Sequence, residues 1–314
     1  MEVKSGYKQT DVGVIPEEWE VKSMDSLTSL MTNGFVGTAT SAYVSGDDGI
    51  FYIQGYNVQE GGFDFHGIKR VSKSFHARHQ KSCLREGDLL TIQTGDIGVT
   101  TIVPPELVGA NCHALVIFRF IKRVSDPRFY CHYFNSERGR AKFKEIETGS
   151  TMKHLNVGDM KPLLIPSPPL PEQRAIANAL TDVDVLLGAL ERLIAKKRDL
   201  KQAAMQQLLT GKTRLPGFRG EWEVKRLRDV LTICHGRSQN EVEVKDGPYP
   251  ILATGGQIGK ANRYLYDKPS VLIGRKGTID QPQYMDTPFW TVDTLFYSTM
   301  HDSNNAKFFS IASA

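Results

Sequence analysis

Pro168-Pro169-Leu170-Pro171-Glu172-Gln173 opens, and Leu209-Thr210-Gly211 closes, the most legible stretch of this 314-residue chain. The prolines cannot continue a helix from the N-terminal side, whereas Pro171 is tolerated in a first turn and Glu172 lies near the positive end of a helix dipole. From Ile176 the apolar residues recur at Leu180, Val183, Leu187, Leu190 and Ile194, alternating steps of four and three that mark a coiled-coil seam. The stripe then drifts to Leu193, Leu200, Ala204 and Leu208, as a straight helix does when it outruns a strict heptad. Thr181 followed by Asp184 resembles a capping box, which predicts a short helix Pro171–Leu180 and a longer one running to Leu209, ended by Gly211. At ~1.5 Å per residue the longer helix is roughly 42 Å, which at ~3.4 Å per base pair corresponds to about 12 base pairs of duplex DNA. An ordinary core helix with a basic face would show the same pattern.

On either side of this rod the chain repeats itself. Ile15-Pro16-Glu17-Glu18-Trp19-Glu20-Val21-Lys22 is echoed by Phe218-Arg219-Gly220-Glu221-Trp222-Glu223-Val224-Lys225. Gly49–Gly55 resembles Gly247–Gly255, and Asp88–Ile97 resembles Ser270–Ile279, each pairing a short β-rich run with a glycine turn. The expected fold is therefore α+β: two mixed α/β domains, residues 1–165 and 212–314, joined by a long helical spacer over 166–211. Phe129 to Lys144 reads as a helix, and Gly149 to Asn156 as a polar loop whose hydroxyls, Lys153 and His154 suit phosphate contacts.

A hydrophobic share of 40% is ample for folded cores, and no apolar run approaches the roughly 18 residues of a membrane span. Met1-Glu2-Val3-Lys4 has no signal-peptide core, so a cytoplasmic protein without a membrane partner is expected. Cys83, Cys112, Cys131 and Cys234 form no Cys-x-x-Cys pair and read as reduced, buried thiols. The net charge of +4 is too small to argue a polyanion partner, so its distribution decides. Gly67 to Arg85 carries Lys69, Arg70, Lys73, Arg78, Lys81 and Arg85 with no acid; Gln257 to Lys276 carries Lys260, Arg263, Lys268, Arg275 and Lys276 against Asp267. One such run is commonly a solvated face, but its recurrence in both halves points to surfaces that track phosphates.

Three look-alikes carry less. Gly211-Lys212-Thr213 ends a helix where a phosphate-binding loop must open one. Glu20-Val21-Lys22 mimics a metal-nuclease tail without an acidic partner before it. His76, His79 and Cys83 have metal-compatible spacing but lie in a basic segment that disfavours a cation. The Asn/Asp-Pro-Pro-Tyr/Phe sequence with which an adenine methyltransferase grips a flipped base is absent, which favours a reader over a catalyst.

Leu155-Asn156, the run Ile165 to Ile176, and Lys201 with Gln206-Gln207-Leu208-Leu209-Thr210-Gly211-Lys212 together resemble the first conserved region of the specificity subunit of type I restriction-modification systems. The Trp19 and Trp222 starts and the paired glycine turns resemble its target-recognition domains. The resemblance implies two domains that each read one half of a bipartite double-stranded DNA site, with the helix setting the spacing and docking modification subunits. It implies no catalysis and no cofactor in this chain: S-adenosylmethionine belongs to the modification subunit, and ATP with Mg to the restriction subunit. The family repeats the polar loop, the Pro-Pro-Leu motif and a second helix, whereas this sequence stops after the counterpart of Phe129–Asn135, so it reads as C-terminally truncated. Val183, Leu187, Leu190 and Ile194 would then pack on another chain, most simply a second copy.

Within that picture the turns carrying Gln54, Asn57, Gln93 and Thr94 are the candidate base readers, since amides pair with adenine edges and glycine lets backbone approach. Lys69, Arg70, Lys73, Arg78 and Lys153 would hold phosphates, and Thr254, Gln257, Arg275 and Lys276 play the matching parts in the second domain. The rival readings are a coiled-coil adaptor with two protein-binding domains and a stand-alone nuclease.

Overall fold

Leu115–Phe120 is apolar on both faces apart from Arg119, so it needs cover on both sides. In the computed structural model, which describes residues 4–150, 153–276, 279–301 and 304–312, it is an inner strand of a four-stranded antiparallel sheet. The order is Thr100–Ile102, Leu89–Ile92, Leu115–Phe120, Thr28–Asn33. On one face Phe118 packs with Met24, Leu27, Tyr130, Phe134 and Phe143. On the other, Leu90 and Ile117 pack with Leu84, Val103, Leu107 and Cys112. A second sheet sets Ile50–Ile53 between Asn111–Cys112, parallel to it, and Lys69–Val71, antiparallel.

The helix expected over Phe129 to Lys144 is two helices, Pro127–Asn135 and Glu137–Glu145. Ser136 breaks it because its hydroxyl accepts the Gly139 N–H at 3.2 Å and caps the second helix. Gly139 is required there: a Cβ would stand 2.1 Å from the Tyr133 carbonyl oxygen.

The chain divides into two compact units, Met1–Arg192 and Leu193–Ala314. Unit 2 repeats the strand plan of unit 1. Its antiparallel sheet runs Gln283–Met285, Ser270–Gly274, Leu295–Met300, Leu231–Cys234, and Tyr249–Ala253 lies parallel to Trp290–Thr291 in a second sheet. The same crossover joins the sheets in both units. Phe35 N–H bonds the Cys112 carbonyl, and Arg237 N–H bonds the Thr291 carbonyl, each at 2.8 Å. The residue before each is a glycine with no space for a side chain; a Cβ on Gly34 would lie 2.6 Å from the Cys112 oxygen and one on Gly236 2.0 Å from that of Val292.

Leu170–Leu208 forms one unbroken helix, so the expected restart at Thr181 does not occur. The Thr181 hydroxyl lies 3.5 Å from His132 Nε2 instead of capping a new turn. Only the beginning of the helix is embedded: Gln173 and Ala177 are buried, and Ile176 packs on the unit 1 core. From Asp182 to Ala204 every residue except Gly188 is exposed, including Val183, Leu187, Leu190 and Ile194. Gly211, at φ +73°, follows the last turn as an αL cap, the role its position suggested. No helix among the described residues is long and apolar enough to cross a membrane.

Candidate nucleic-acid interface

Because Ile92 pairs with Leu115 and Val116 with Asn33, the turns that leave Leu89–Ile92 and Thr28–Asn33 emerge at the same end of the unit 1 sheet. The first is Gln93–Asp96, with Gly95 at φ +86° facing open space. Its Gln93 carbonyl accepts Leu155 N–H at 3.0 Å, and Thr94 forms an isolated bridge with His154. The structure thus brings Gln93 and Thr94 close to Lys153, a candidate about 60 residues further along the sequence. Lys153 and the next residues of the turn, Gly95 and Asp96, line a cleft of about 580 Å³ together with Arg140, Lys144 and Glu147. Lys153 Nζ stands 3.1 Å from the buried Glu147 carboxylate, while its own side chain is two-thirds exposed. The buried Gln93 Oε1 has no hydrogen-bond partner among the described residues. Thr151 and Met152 of the polar loop lie outside the described residues.

At the second turn, Asn33–Val36 faces Arg78, His79 and Lys81 across a cleft of about 450 Å³. Arg78 ends the helix Lys73–Arg78, capped by the Ser72 hydroxyl. Lys69, Lys73 and Arg78 are exposed. Arg70 is not: its guanidinium donates to the Gly49 carbonyl at 2.8 Å, approaches Asp47 Oδ1 at 3.3 Å and stacks 4.0 Å over the Phe51 ring. It holds two strands and a loop together and is spoken for within the fold.

Asn57 is a second correction, for it is fully buried. Its Oδ1 accepts Gln54 N–H at 3.1 Å and its Nδ2 donates to the Asp64 carbonyl at 2.9 Å, so it shapes the turn instead of facing a ligand. Gln54 is half-buried and donates to the Tyr43 hydroxyl at 2.8 Å. Burial pushes the nearby Tyr52 phenol up, and burial draws the His113 imidazole down; their 3.0 Å bond is a neutral one. His76 bonds Asn111 at 2.7 Å and His79 packs on Phe35 and Phe75, so both serve the second sheet. No group of three potential metal ligands occurs among the described residues.

In unit 2, Gly274 pairs with Leu295 as Ile92 pairs with Leu115, so Arg275 and Lys276 occupy the positions of Gln93 and Thr94. Both are exposed, and Arg275 N–H is fixed on the Thr294 carbonyl at 3.0 Å. Gly277 and Thr278 lie outside the described residues. Gln257 is exposed with its amide on the Gly259 carbonyl at 3.2 Å; Thr254 is half-buried. Arg237, exposed at the crossover that Phe35 occupies in unit 1, went unread because a lone arginine after a glycine carries no pattern. Arg140 and Lys144 lie in the stretch Phe129 to Lys144, which was read only as a helix.

The family model of the type I restriction modification DNA specificity domain matches residues 16–198 and 219–312. The chain belongs to this family. Among specificity-domain relatives, the type I restriction enzyme MjaIX specificity subunit of Methanocaldococcus jannaschii is 25% identical over 78% of this chain and 60% of its own length. The EcoKI specificity subunit of Escherichia coli is 22% identical over 64% of this chain and 44% of its own. The chain therefore spans less than two thirds of these relatives. The fold matches the crystal structure of a type I restriction-modification S subunit from M. genitalium, with a TM-score of 0.64, 17% identity, and coverage of all of this chain and 78% of that one. It also matches a chain from a structure of type I system complex assembly and conformational transition, with a TM-score of 0.54, 18% identity, and 95% and 79% coverage.

Proposed function

We propose that this specificity-domain protein is the DNA-reading subunit of a type I restriction-modification complex, with two target-recognition domains, residues 1–165 and 212–314, each reading one half of a bipartite site. The observation that supports this best is the pair of sheet-end turns. The same structural position offers Gln93 and Thr94 in one unit and Arg275 and Lys276 in the other, beside basic flanks. One scaffold with different side chains at the same end of the sheet suits reading two different short words. Amides pair with adenine edges and arginine with guanine.

In this reading the spacer over 166–211 sets the gap between half-sites and docks modification subunits, with restriction subunits joining the assembly. Val183, Leu187, Leu190 and Ile194 form the partner-helix seam, open to a modification subunit or a second copy of this chain. Exposed apolar stripes of this extent mark interaction surfaces. The subunit is non-catalytic and cytoplasmic, and S-adenosylmethionine, ATP and Mg act on its partners. Lys69, Lys73, Arg78 and Lys153 are the phosphate contacts.

Binding of duplex DNA by the full chain at increasing salt tests the reading. Each phosphate contact removed should lower the slope of log K against log salt by about 0.9. Lys69→Gln with Lys73→Gln is expected to weaken all sequences alike and flatten the slope by about 2. An unchanged slope favours the coiled-coil adaptor.

A further inference from the structure

Charges alternate along the end of the unit 2 sheet that carries Arg275 and Lys276. Cys234 and Leu272 both pair with Tyr297, so the strands that run out towards Arg237 and Arg275 flank the one that begins at Leu295. In strand order the end presents Arg237, then Asp293, then Arg275. Asp293 stands at the tip of a turn closed by Leu295 N–H on the Val292 carbonyl at 3.0 Å. At ~4.8 Å per strand the two arginine-bearing turns leave the sheet about 10 Å apart.

The backbone alone fixes Arg237 in place. Its N–H is on the Thr291 carbonyl at 2.8 Å, and its carbonyl accepts the Trp290 indole N–H at 3.0 Å. Gly236 before it is wedged so tightly that a Cβ would meet the Val292 oxygen at 2.0 Å. The Arg237 side chain is exposed and makes no hydrogen bond or ion pair among the described residues. A fixed backbone with a free guanidinium suits base reading, because the planar fork has to arrive in one orientation. Asp293, also exposed, separates the two arginines. A carboxylate repels phosphate but accepts from a cytosine amine, so this row fits base edges better than a DNA backbone.

Unit 1 offers no such row. Phe35 stands in the place of Arg237 and packs on His79 and Phe75, with ring centroids 4.6 and 5.0 Å away. His113 and Ala114 separate Cys112 from Leu115, whereas Val292, Asp293 and Thr294 separate Thr291 from Leu295. On the reading that unit 2 recognises one half-site, we infer that Arg237 reads a guanine there, its guanidinium bidentate on O6 and N7. A separation of about 10 Å from the Arg275 turn, at ~3.4 Å per base pair, puts this guanine within about three base pairs of those that Arg275 and Lys276 contact.

The test compares duplexes selected from a random-sequence pool by the full chain and by its variants, with modification subunits present. Arg237→Gln should lower the preference for guanine at one position about tenfold or more. That position should lie in the half that Arg275→Gln with Lys276→Gln relaxes, with the other half intact. Arg237→Lys keeps the charge and loses the fork, so it should relax the same position while binding to unrelated duplex stays unchanged. The melting temperature of Arg237→Gln should match that of the parent chain; a lower one would make the effect one of packing and overturn the inference. Weakening of all sequences alike would make Arg237 a phosphate contact and an unchanged motif would make it idle, and either overturns it, as does relaxation of the other half. If the Arg275 and Lys276 change relaxes one half and Arg237→Gln relaxes nothing, this inference alone fails. If no change relaxes one half separately, the two-domain reading fails with it.

Discussion

Unit 1 and unit 2 place a buried polar group at the same point of the same sheet and satisfy it by different chemistry. In unit 1 Asp88, 1% exposed, receives a bidentate pair from Arg119 at 2.7 and 2.8 Å on the neighbouring strand. In unit 2 the equivalent residue is Ser270, fully buried, which donates to the Ser298 carbonyl at 2.8 Å and accepts Ser298 N–H at 2.9 Å. The strand order survives this exchange because the fold requires only that the group be satisfied. What differs is the cost of error, since a stranded charge is more expensive than a stranded hydroxyl.

That contrast gives the largest expected effect. Asp88→Ala should destabilise unit 1 by about 3 kcal/mol, by leaving Arg119 with little solvent and no carboxylate. Ser270→Ala should cost unit 2 only about 1 kcal/mol, both read by denaturant unfolding. Equal losses would break the comparison. Next comes the start of the long helix, where the Gln173 side chain binds Asp126 N–H together with the Val124 and Pro168 carbonyls. Gln173→Ala orphans one N–H and two carbonyls, and should lower unit 1 stability by about 2 to 3 kcal/mol without moving the unit 2 transition.

The smallest effect concerns acid. Burial raises the Asp126 carboxyl, but the hydrogen bonds and charge of Arg128, with Arg174 beyond, outweigh it and hold it below its ordinary value of 3.8. The folded form thus binds its proton more weakly than the unfolded chain. Its stabilisation is complete above that ordinary value and is lost as pH falls through the lower folded one. Asp126→Asn should flatten this acid limb of the unit 1 stability curve; Asn305, which caps Lys307 N–H as Asp126 caps Arg128 N–H but cannot ionise, predicts no matching limb at the equivalent place in unit 2.

Much of this plan was legible in the sequence. The prolines, the apolar stripe and Gly211 gave the long helix, and the Trp19 and Trp222 echoes gave the repeated unit. Thr181 misled because a capping signal is local, and an intact i to i−4 ladder overrides it when nothing stops the chain. Asn57 misled because asparagine mimics backbone in turns as readily as it reads a base. Arg70 looked like a free cation, since its partners Asp47 and Gly49 lie more than twenty residues upstream and only the sheet brings them close. The crossover glycines Gly34 and Gly236 carried no pattern; their need appears only where a parallel strand passes overhead.

The central claim is that two related units read two separate words. Selection of duplexes from a random-sequence pool by the full chain, with modification subunits present, tests it most directly. The account predicts a split motif with a constant gap, in which Arg275→Gln with Lys276→Gln relaxes one half and leaves the other intact. A single contiguous motif, or one relaxed throughout by that change, would contradict it.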